Sequence, residues 1–322
     1  MANTLSAGAA TVMRAHPHRA AKLAVCLTTV YLVWGSSFLF SKIAVTHLPT
    51  AMLAGVRFIS AGALLALFAH FWNGDSWPAS RREWRHVFIL GLIMVFMSNG
   101  LNMWAIRFIP TNQSALLNGT AAFWIAGLGM FGPRGHPLSR RALFGLIIGF
   151  VGTALMLIPK GAISGQSALA QGAALAGCFA WSLGTLYYRS VDTSLRPIMT
   201  TACQMLVGGA MLLTVGLANG DAVRWTMNMP GLIALLYLTL CSSCLAYTAY
   251  GWLALNATPT LIGTYSYVNP AIAAFIGWQF LHEELSALQL AGMLIIIIGV
   301  LMLTLPGSSA IDLKSLEEPR TQ

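Results

Sequence analysis

The sequence predicts an all-α integral membrane protein with ten transmembrane helices, arranged as two inverted repeats of five helices. Of its 322 residues, 57% are hydrophobic and only 8% are charged, whereas charged residues approach a quarter of a soluble domain. Apolar segments of about 20 residues, the length that crosses a hydrocarbon core of about 30 Å, recur along the whole chain. The two halves of the chain also match each other at a fixed offset.

Short connections join the apolar segments, so neighbouring helices are expected to form antiparallel hairpins. The predicted helices cover residues 21–45, 50–71, 86–106, 112–131, 140–158, 169–188, 197–218, 230–254, 259–281 and 287–305. Residues 21–158 form the first predicted repeat and residues 169–305 the second. Residues 1–20 and 306–322 are predicted to be cytoplasmic tails, and the N-terminal tail lacks the apolar core of a signal peptide.

The distribution of basic residues predicts the orientation in the membrane. With the N-terminus inside, thirteen of the 18 Lys and Arg residues fall on the inner side. The outer side holds Lys42, Arg107, Lys160 and Arg224. Cytoplasmic loops carry the excess of basic residues, so both termini are predicted to be cytoplasmic. The net charge of +9 is thus explained by topology and predicts no nucleic-acid partner.

The two halves match when one is shifted by 147 positions. This offset pairs Trp34 with Trp181, Arg57 with Gln204, Gly145 with Gly292, Gly152 with Gly299 and Pro159 with Pro306. A unit of five helices is odd, so its second copy enters the membrane from the opposite side. Inverted repeats of this kind are typical of secondary transporters, whose binding site lies near the midplane between the repeats.

Three stretches carry a family resemblance: YLVWGSSFLFSKIAV, LAGVRFISAGALLAL and GTYSYVNPAIAAFIGWQFLHEELSALQLAGMLIIIIGV. In order, spacing and duplication they resemble the EamA family of the drug/metabolite transporter superfamily, over residues 21–305. The resemblance implies a multi-pass carrier of a bacterial-type inner membrane, usually an exporter of metabolites, amino acids or drug-like compounds. The first copy departs from the pattern, because it reads FGPRGHPLS where the second reads FLHEELS.

Arg57 lies about seven residues into the second predicted helix. A guanidinium inside a membrane costs several kcal/mol unless it is paired or hydrated. One interpretation is that Arg57 attracts an anionic group such as a substrate carboxylate. The other is that it extends toward the membrane surface or caps carbonyls of a neighbouring helix.

Further candidates for the substrate pathway are polar and aromatic residues within the apolar segments, above all in the stretch TYSYVNPAIAAFIGWQF. The candidates besides Arg57 are Trp34, Asn99, Asn102, Asn118, Trp181, Gln204, Tyr247, Tyr265, Tyr267 and Asn269. Amides and phenols inside a membrane either join helices or bind a passing solute. Their concentration in a few helices favours a cavity.

No acidic residue falls in the middle of a predicted helix, so a proton-coupling carboxylate is not evident. Glu283 and Glu284, near the end of the ninth helix, are the candidates for coupling, and we expect facilitated transport or exchange otherwise. Cys241 and Cys244 have no nearby His or Asp, so packing explains them better than a metal site. The sequence predicts neither a cofactor nor a metal.

Other classes of function are less consistent with the sequence. The chain lacks the His-Glu-x-x-His and Gly-x-Ser-x-Gly motifs of enzymes, so we predict no enzyme. A receptor or assembly protein without transport is one alternative, although it leaves the repeat unexplained. Carriers of phosphate esters and nucleotide sugars are another, although they need more basic residues in the core than Arg57. The predicted partners are a small-molecule solute and the lipid bilayer; the sequence does not specify the oligomeric state, and a monomer is consistent with it.

Overall fold

The computed structural model describes residues 17–128, 140–157, 165–191, 193–257, 262–282 and 286–304, and these residues form helices without any strand. Six helical segments in this part of the chain are long and apolar enough to cross a membrane. They are Ala21–His47, Thr50–Phe71, Arg81–Ala105, Gly165–Ser190, Pro197–Ala218 and Met229–Asn256. Shorter apolar helices accompany them. The chain is therefore a helical membrane protein, as its composition predicted.

The helices of the first half are numbered here in chain order. They are α1, with Pro17–Thr29, a π-helical segment Val30–Trp34 and Gly35–His47; α2, Thr50–Phe71; α3, with Arg81–Leu90, a π-helical segment Gly91–Asn99 and Gly100–Ala105; α4, with Thr111–Gly119 and Ala121–Leu128; and α5, Arg140–Leu157. The sequence predicted α4 as one helix, but it is divided at Thr120.

The second half continues the numbering. Its helices are α6, Gly165–Ser190; α7, Pro197–Ala218; α8, with Met229–Tyr237, a π-helical segment Leu238–Ala246 and Tyr247–Asn256; α9, Tyr265–Leu281; and α10, Ala287–Thr304. Pro270 lies inside α9. The π-helical segments of α3 and α8 are 147 residues apart, the same offset that pairs Trp34 with Trp181.

Two antiparallel helix pairs form a frame, held by glycines that permit close contact. In the pair α2 and α7, a Cβ atom built on Gly62 would lie 2.9 Å from the carbonyl oxygen of Ala202, and one on Gly209 would lie 2.9 Å from the nitrogen of Ile59. In the pair α5 and α10, Gly152 lies against Gly292 in the same way. Small residues at such interfaces allow the backbones to approach closely.

The bundle has two ends, called here the near end and the far end, and a contact between distant parts of the chain identifies each of them. At the near end, Lys22 of α1 lies 4.9 Å from the ring centre of Trp252 in α8. At the far end, His47 Nδ1 lies 2.9 Å from Nδ2 of Asn228. The first half of α1 thus leads from the near end, and its second half leads to the far end.

Each end also holds an aspartate that the sequence placed in a loop. At the near end, Arg196 donates a hydrogen bond of 2.9 Å to Asp75. At the far end, Asp221 accepts a hydrogen bond from Arg224 and another, 3.3 Å long, from the backbone N–H of Met52. Both aspartates are 4% exposed, so these carboxylates tie α2 to α7 at the two ends of the frame.

Candidate functional site

A cavity of about 130 Å³ lies between α1, α2, α3, α4, α6, α8 and α9. Its walls from α1 and α3 belong to the parts of these helices that lead to the far end, from Trp34 to Ser41 and from Ser98 to Ile106. A space of this size holds several water molecules or a small organic group. The cavity is therefore a candidate binding site in the interior of the bundle.

Arg57 is the charged side chain among the described residues that line this cavity. It is 6% exposed, and its Nε and Nη2 atoms donate hydrogen bonds of 2.8 and 3.0 Å to the hydroxyl oxygens of Ser243 and Ser242. Both partners are neutral, and neither ion pair within the described residues involves Arg57. The guanidinium thus stays inside the bundle with its charge unbalanced, which favours binding of an anionic group.

Three asparagines form an amide cluster on the cavity wall. Asn118 of α4 donates hydrogen bonds to Oδ1 of Asn102 at 2.7 Å and to the carbonyl oxygen of Ser114 at 2.9 Å. Asn102 and Asn99 of α3 use their own N–H groups on carbonyls within α3. Asn99 and Asn102 each use one of their two amide N–H groups in these bonds, so the cluster offers both N–H donors and oxygen acceptors at the cavity wall.

Five aromatic rings lie on the side of the cavity toward the near end. Trp34 and Trp181 make an edge contact with ring centres 5.4 Å apart, and the other rings, of Tyr247, Tyr250 and Tyr265, lie within 6.1 Å of Trp34. Trp181 donates a hydrogen bond of 3.2 Å to the Tyr250 hydroxyl. Packed rings of this kind exclude water, so this aromatic cluster separates the cavity from the near end.

Three polar groups on the cavity wall are buried without a hydrogen-bond partner among the described residues. They are the Tyr247 hydroxyl, Oγ of Ser266 and Oδ1 of Asn269. Tyr247 is 3% exposed, Ser266 1% and Asn269 5%. Each unpaired buried group costs about 1–3 kcal/mol, so all three are poised to bind a solute or water that enters the cavity.

The structure brings most of the predicted pathway residues together. The lining includes Trp34, Arg57, Asn99, Asn102, Asn118, Trp181, Tyr247, Tyr265 and Asn269. Their roles in transport stay predictions, as does the role of each residue that lies elsewhere.

The remaining predicted residues are placed differently. Gln204 is buried in α7 away from this lining, because α2 and α7 are antiparallel and Gln204 lies as close to the near end as Arg57 lies to the far end. Tyr267 is a residue of α9. Glu283 and Glu284 lie outside the described residues.

Sequence reasoning missed the hydroxyl groups of the cavity and the partner of Trp181. The small residues Ser37, Ser41, Ser98 and Ser242 line the cavity, and Ser242 fixes Arg57. Serine is common at packed helix interfaces, so its presence alone gave no signal. The two buried aspartates, Asp75 and Asp221, did give a signal in the sequence. Each follows an Asn-Gly pair, so the same Asn-Gly-Asp sequence occurs at residues 73–75 and 219–221.

Comparison with known proteins identifies the family of the chain. The model of the EamA-like transporter family matches residues 22–158 and again residues 169–305. The chain is 30% identical over 283 residues to the Escherichia coli K12 protein named as inner membrane transporter YedA, covering 87% of this chain and 89% of that protein. It is 25% identical over 284 residues to a Salmonella typhimurium protein named "Probable amino-acid metabolite efflux pump", covering 84% and 91% of the two chains.

A solved crystal structure has the same fold. Its TM-score to this chain is 0.67 at 18% sequence identity, with 88% of this chain and 97% of the other covered. Identity at this level supports the fold alone.

Proposed function

The chain belongs to the EamA-like transporter family, as the resemblance of its sequence predicted, and from this premise we propose that it exports a small organic solute that carries one carboxylate. The observation behind the proposal is Arg57, a buried cation with neutral hydroxyl partners on the cavity wall. One guanidinium matches one carboxylate in a bidentate pair. A phosphate ester with two negative charges would need further basic residues, and Arg57 is the basic residue among the described lining.

We infer that the ten helices form two inverted five-helix repeats that work by alternating access. The support comes from contacts that are reciprocal at the 147-residue offset. Gly62 contacts Leu206 of α7, and its counterpart Gly209 contacts Ile59, the counterpart of Leu206. Equivalent helices that contact each other in antiparallel directions are what a twofold axis in the membrane plane produces.

In this proposal both termini are cytoplasmic, as the basic residues predict. The near end then faces the cytoplasm, and the cavity lies on the outer side of the aromatic cluster. The membrane is a bacterial-type inner membrane, which agrees with the location given in the name of the Escherichia coli relative. Export is supported by the efflux activity in the name of the Salmonella relative.

The solute class is tested by transport into inside-out vesicles that contain the protein. Labelled amino acids and hydroxy acids are compared with their own amides, which differ only in the carboxylate. We expect the acids to be transported and the amides to be poor competitors. In Arg57→Lys, the KM for the acids should rise about tenfold, because a point charge replaces a bidentate donor.

The matched control is Arg85→Lys, the same substitution at an exposed residue outside the described lining, which should leave the KM unchanged. Equal transport of acids and their amides would contradict the proposal. The driving force is tested in the same vesicles, where we expect facilitated transport or exchange. Sustained uphill accumulation driven by an imposed pH gradient alone would contradict that part.

A further inference from the structure

Lys42 joins α1 to the C-terminal end of α3 at the far end. Its Nζ atom donates hydrogen bonds to the carbonyl oxygens of Ile106 at 2.8 Å, Ile109 at 2.9 Å and Arg107 at 3.4 Å. The last carbonyls of a helix lack partners within the helix. Ile106 and Ile109 are at most 2% exposed, so these carbonyls depend on Lys42, whose charge also complements the negative end of the helix dipole.

Arg189 makes the same kind of contact at the near end. Its Nη1 atom donates hydrogen bonds to the carbonyl oxygens of Ala254 at 2.6 Å and Ala257 at 3.3 Å. These carbonyls belong to the last turn and the cap of α8. Arg189 thus joins α6 to the C-terminal end of α8.

These two contacts are equivalent. Lys42 and Arg189 are 147 residues apart, and they lie on the equivalent helices α1 and α6. Their targets are the ends of α3 and α8, which are also equivalent. The sequence hides this relation, because the cation changes from Lys to Arg and its acceptors are backbone atoms.

Both contacts lie at the ends of the candidate pathway. Lys42 follows Ser41 and binds the carbonyl of Ile106, and both of these residues line the cavity. Arg189 follows Tyr188, the counterpart of Ser41, which is 7% exposed. A buried aromatic ring thus lies beside Arg189 where a serine of the cavity wall lies beside Lys42.

We propose that Lys42 and Arg189 are paired latches that control access to the site from opposite ends. Each latch holds one end closed, and each opening step releases one latch while the other stays formed. This inference rests on the proposed function, because alternating access needs two ends that open in turn. It adds the side chains that hold each end closed. It also requires that replacing Lys42 and replacing Arg189 change access from a given end in opposite directions.

The test measures access to the pathway and needs no substrate. The five native cysteines are replaced by alanine in the full-length protein, and one cysteine is introduced, either Ser37→Cys toward the far end or Thr185→Cys toward the near end. A membrane-impermeant maleimide labels the protein in right-side-out and in inside-out vesicles. The labelling rate of each cysteine is then compared with and without Lys42→Met or Arg189→Met.

We expect Lys42→Met to raise labelling at residue 37 from the far end about tenfold and to lower labelling at residue 185. A change of this size corresponds to one lost charge-assisted hydrogen bond. Arg189→Met should do the reverse. The matched controls are Arg85→Met and Arg107→Met, exposed cations at the near and far ends, which should change neither rate.

If both variants raise labelling at both cysteines, the substitutions loosen the whole protein and the latch proposal is overturned. If neither variant raises labelling at either cysteine, the two contacts do not control access and the proposal is likewise overturned. If a Met variant does not reach the membrane, Lys42→Gln or Arg189→Gln is used, because glutamine keeps N–H donors without the charge. In the Gln variants, we expect the labelling rates to change in the same directions as in the Met variants, but by a smaller factor. Reciprocal labelling with no preference for carboxylated solutes would leave the latches intact and overturn only the proposed solute.

Discussion

The frame of the molecule is the same in both halves, whereas the cavity is not. In the frame, glycines at equivalent positions pack against the equivalent helix of the other half, with Gly62 matched by Gly209 and Gly152 by Gly299. At the cavity, Asn102 corresponds to Ala249 and Met103 to Tyr250. The difference has a physical reason, because frame residues of one half pack against the equivalent helix of the other half, while cavity residues face open space and are not constrained by that packing. One wall has therefore become rich in amides and the other rich in aromatic rings.

The largest expected effect tests the symmetry of the frame. Gly62→Leu and Gly209→Leu should each reduce the yield and thermal stability of the folded protein strongly and to a similar extent. Their new side chains would meet backbone atoms within about 3 Å, and overpacking costs about 1–3 kcal/mol or more. Thermal unfolding of the detergent-purified protein measures this. Gly172→Leu is the control, since nothing lies within 4 Å of its Cβ position.

An intermediate effect is expected where the two halves differ. Tyr250→Phe should lower stability by about 1–2 kcal/mol, because it removes the acceptor of the buried Trp181 N–H. At the equivalent position, Met103→Leu conserves volume and should cost less than about 1 kcal/mol. Thermal unfolding again provides the measurement. Equal losses in both variants would mean that the aromatic wall and the amide wall are not distinct.

The smallest effect on stability is expected for Asn269→Ala. Its Oδ1 atom is buried without a partner among the described residues, so removing the amide should change the free energy of unfolding by less than about 0.5 kcal/mol. The preference among transported solutes should change nonetheless. Vesicle competition assays measure that preference. A large loss of stability with unchanged preference would assign Asn269 to packing instead of binding.

Much of the fold was predictable because each helix is long, apolar and bounded by Pro, Gly or charge. The family, the helical class and the clustering of Arg57 with the asparagines near Trp34 follow from residues that stand out against an apolar background. Contacts to backbone atoms could not be predicted, because the sequence does not record which carbonyl lacks a partner. Lys42 and the buried Asp75 therefore looked like ordinary loop or surface charges.

The position of Gln204 shows what the match between the halves does not specify. Gln204 is the counterpart of Arg57, yet it is buried in α7 outside the described lining of the cavity that Arg57 lines. The match pairs the two residues in sequence, while the antiparallel packing of α2 and α7 places them at different depths. A role of Gln204 in the pathway stays a prediction.

The π-helical segments in α3 and α8 have a consequence for how relatives are aligned. A π turn takes in one residue more than an α turn, so a relative that lacks one residue within Gly91–Asn99 can form an ordinary α-helix there without rotating the rest of α3. Asn102 and Ile106 would then keep their places on the cavity wall. A single-residue gap just after this stretch would instead rotate the residues that follow by about 100°, so the position of the gap decides whether the binding wall changes.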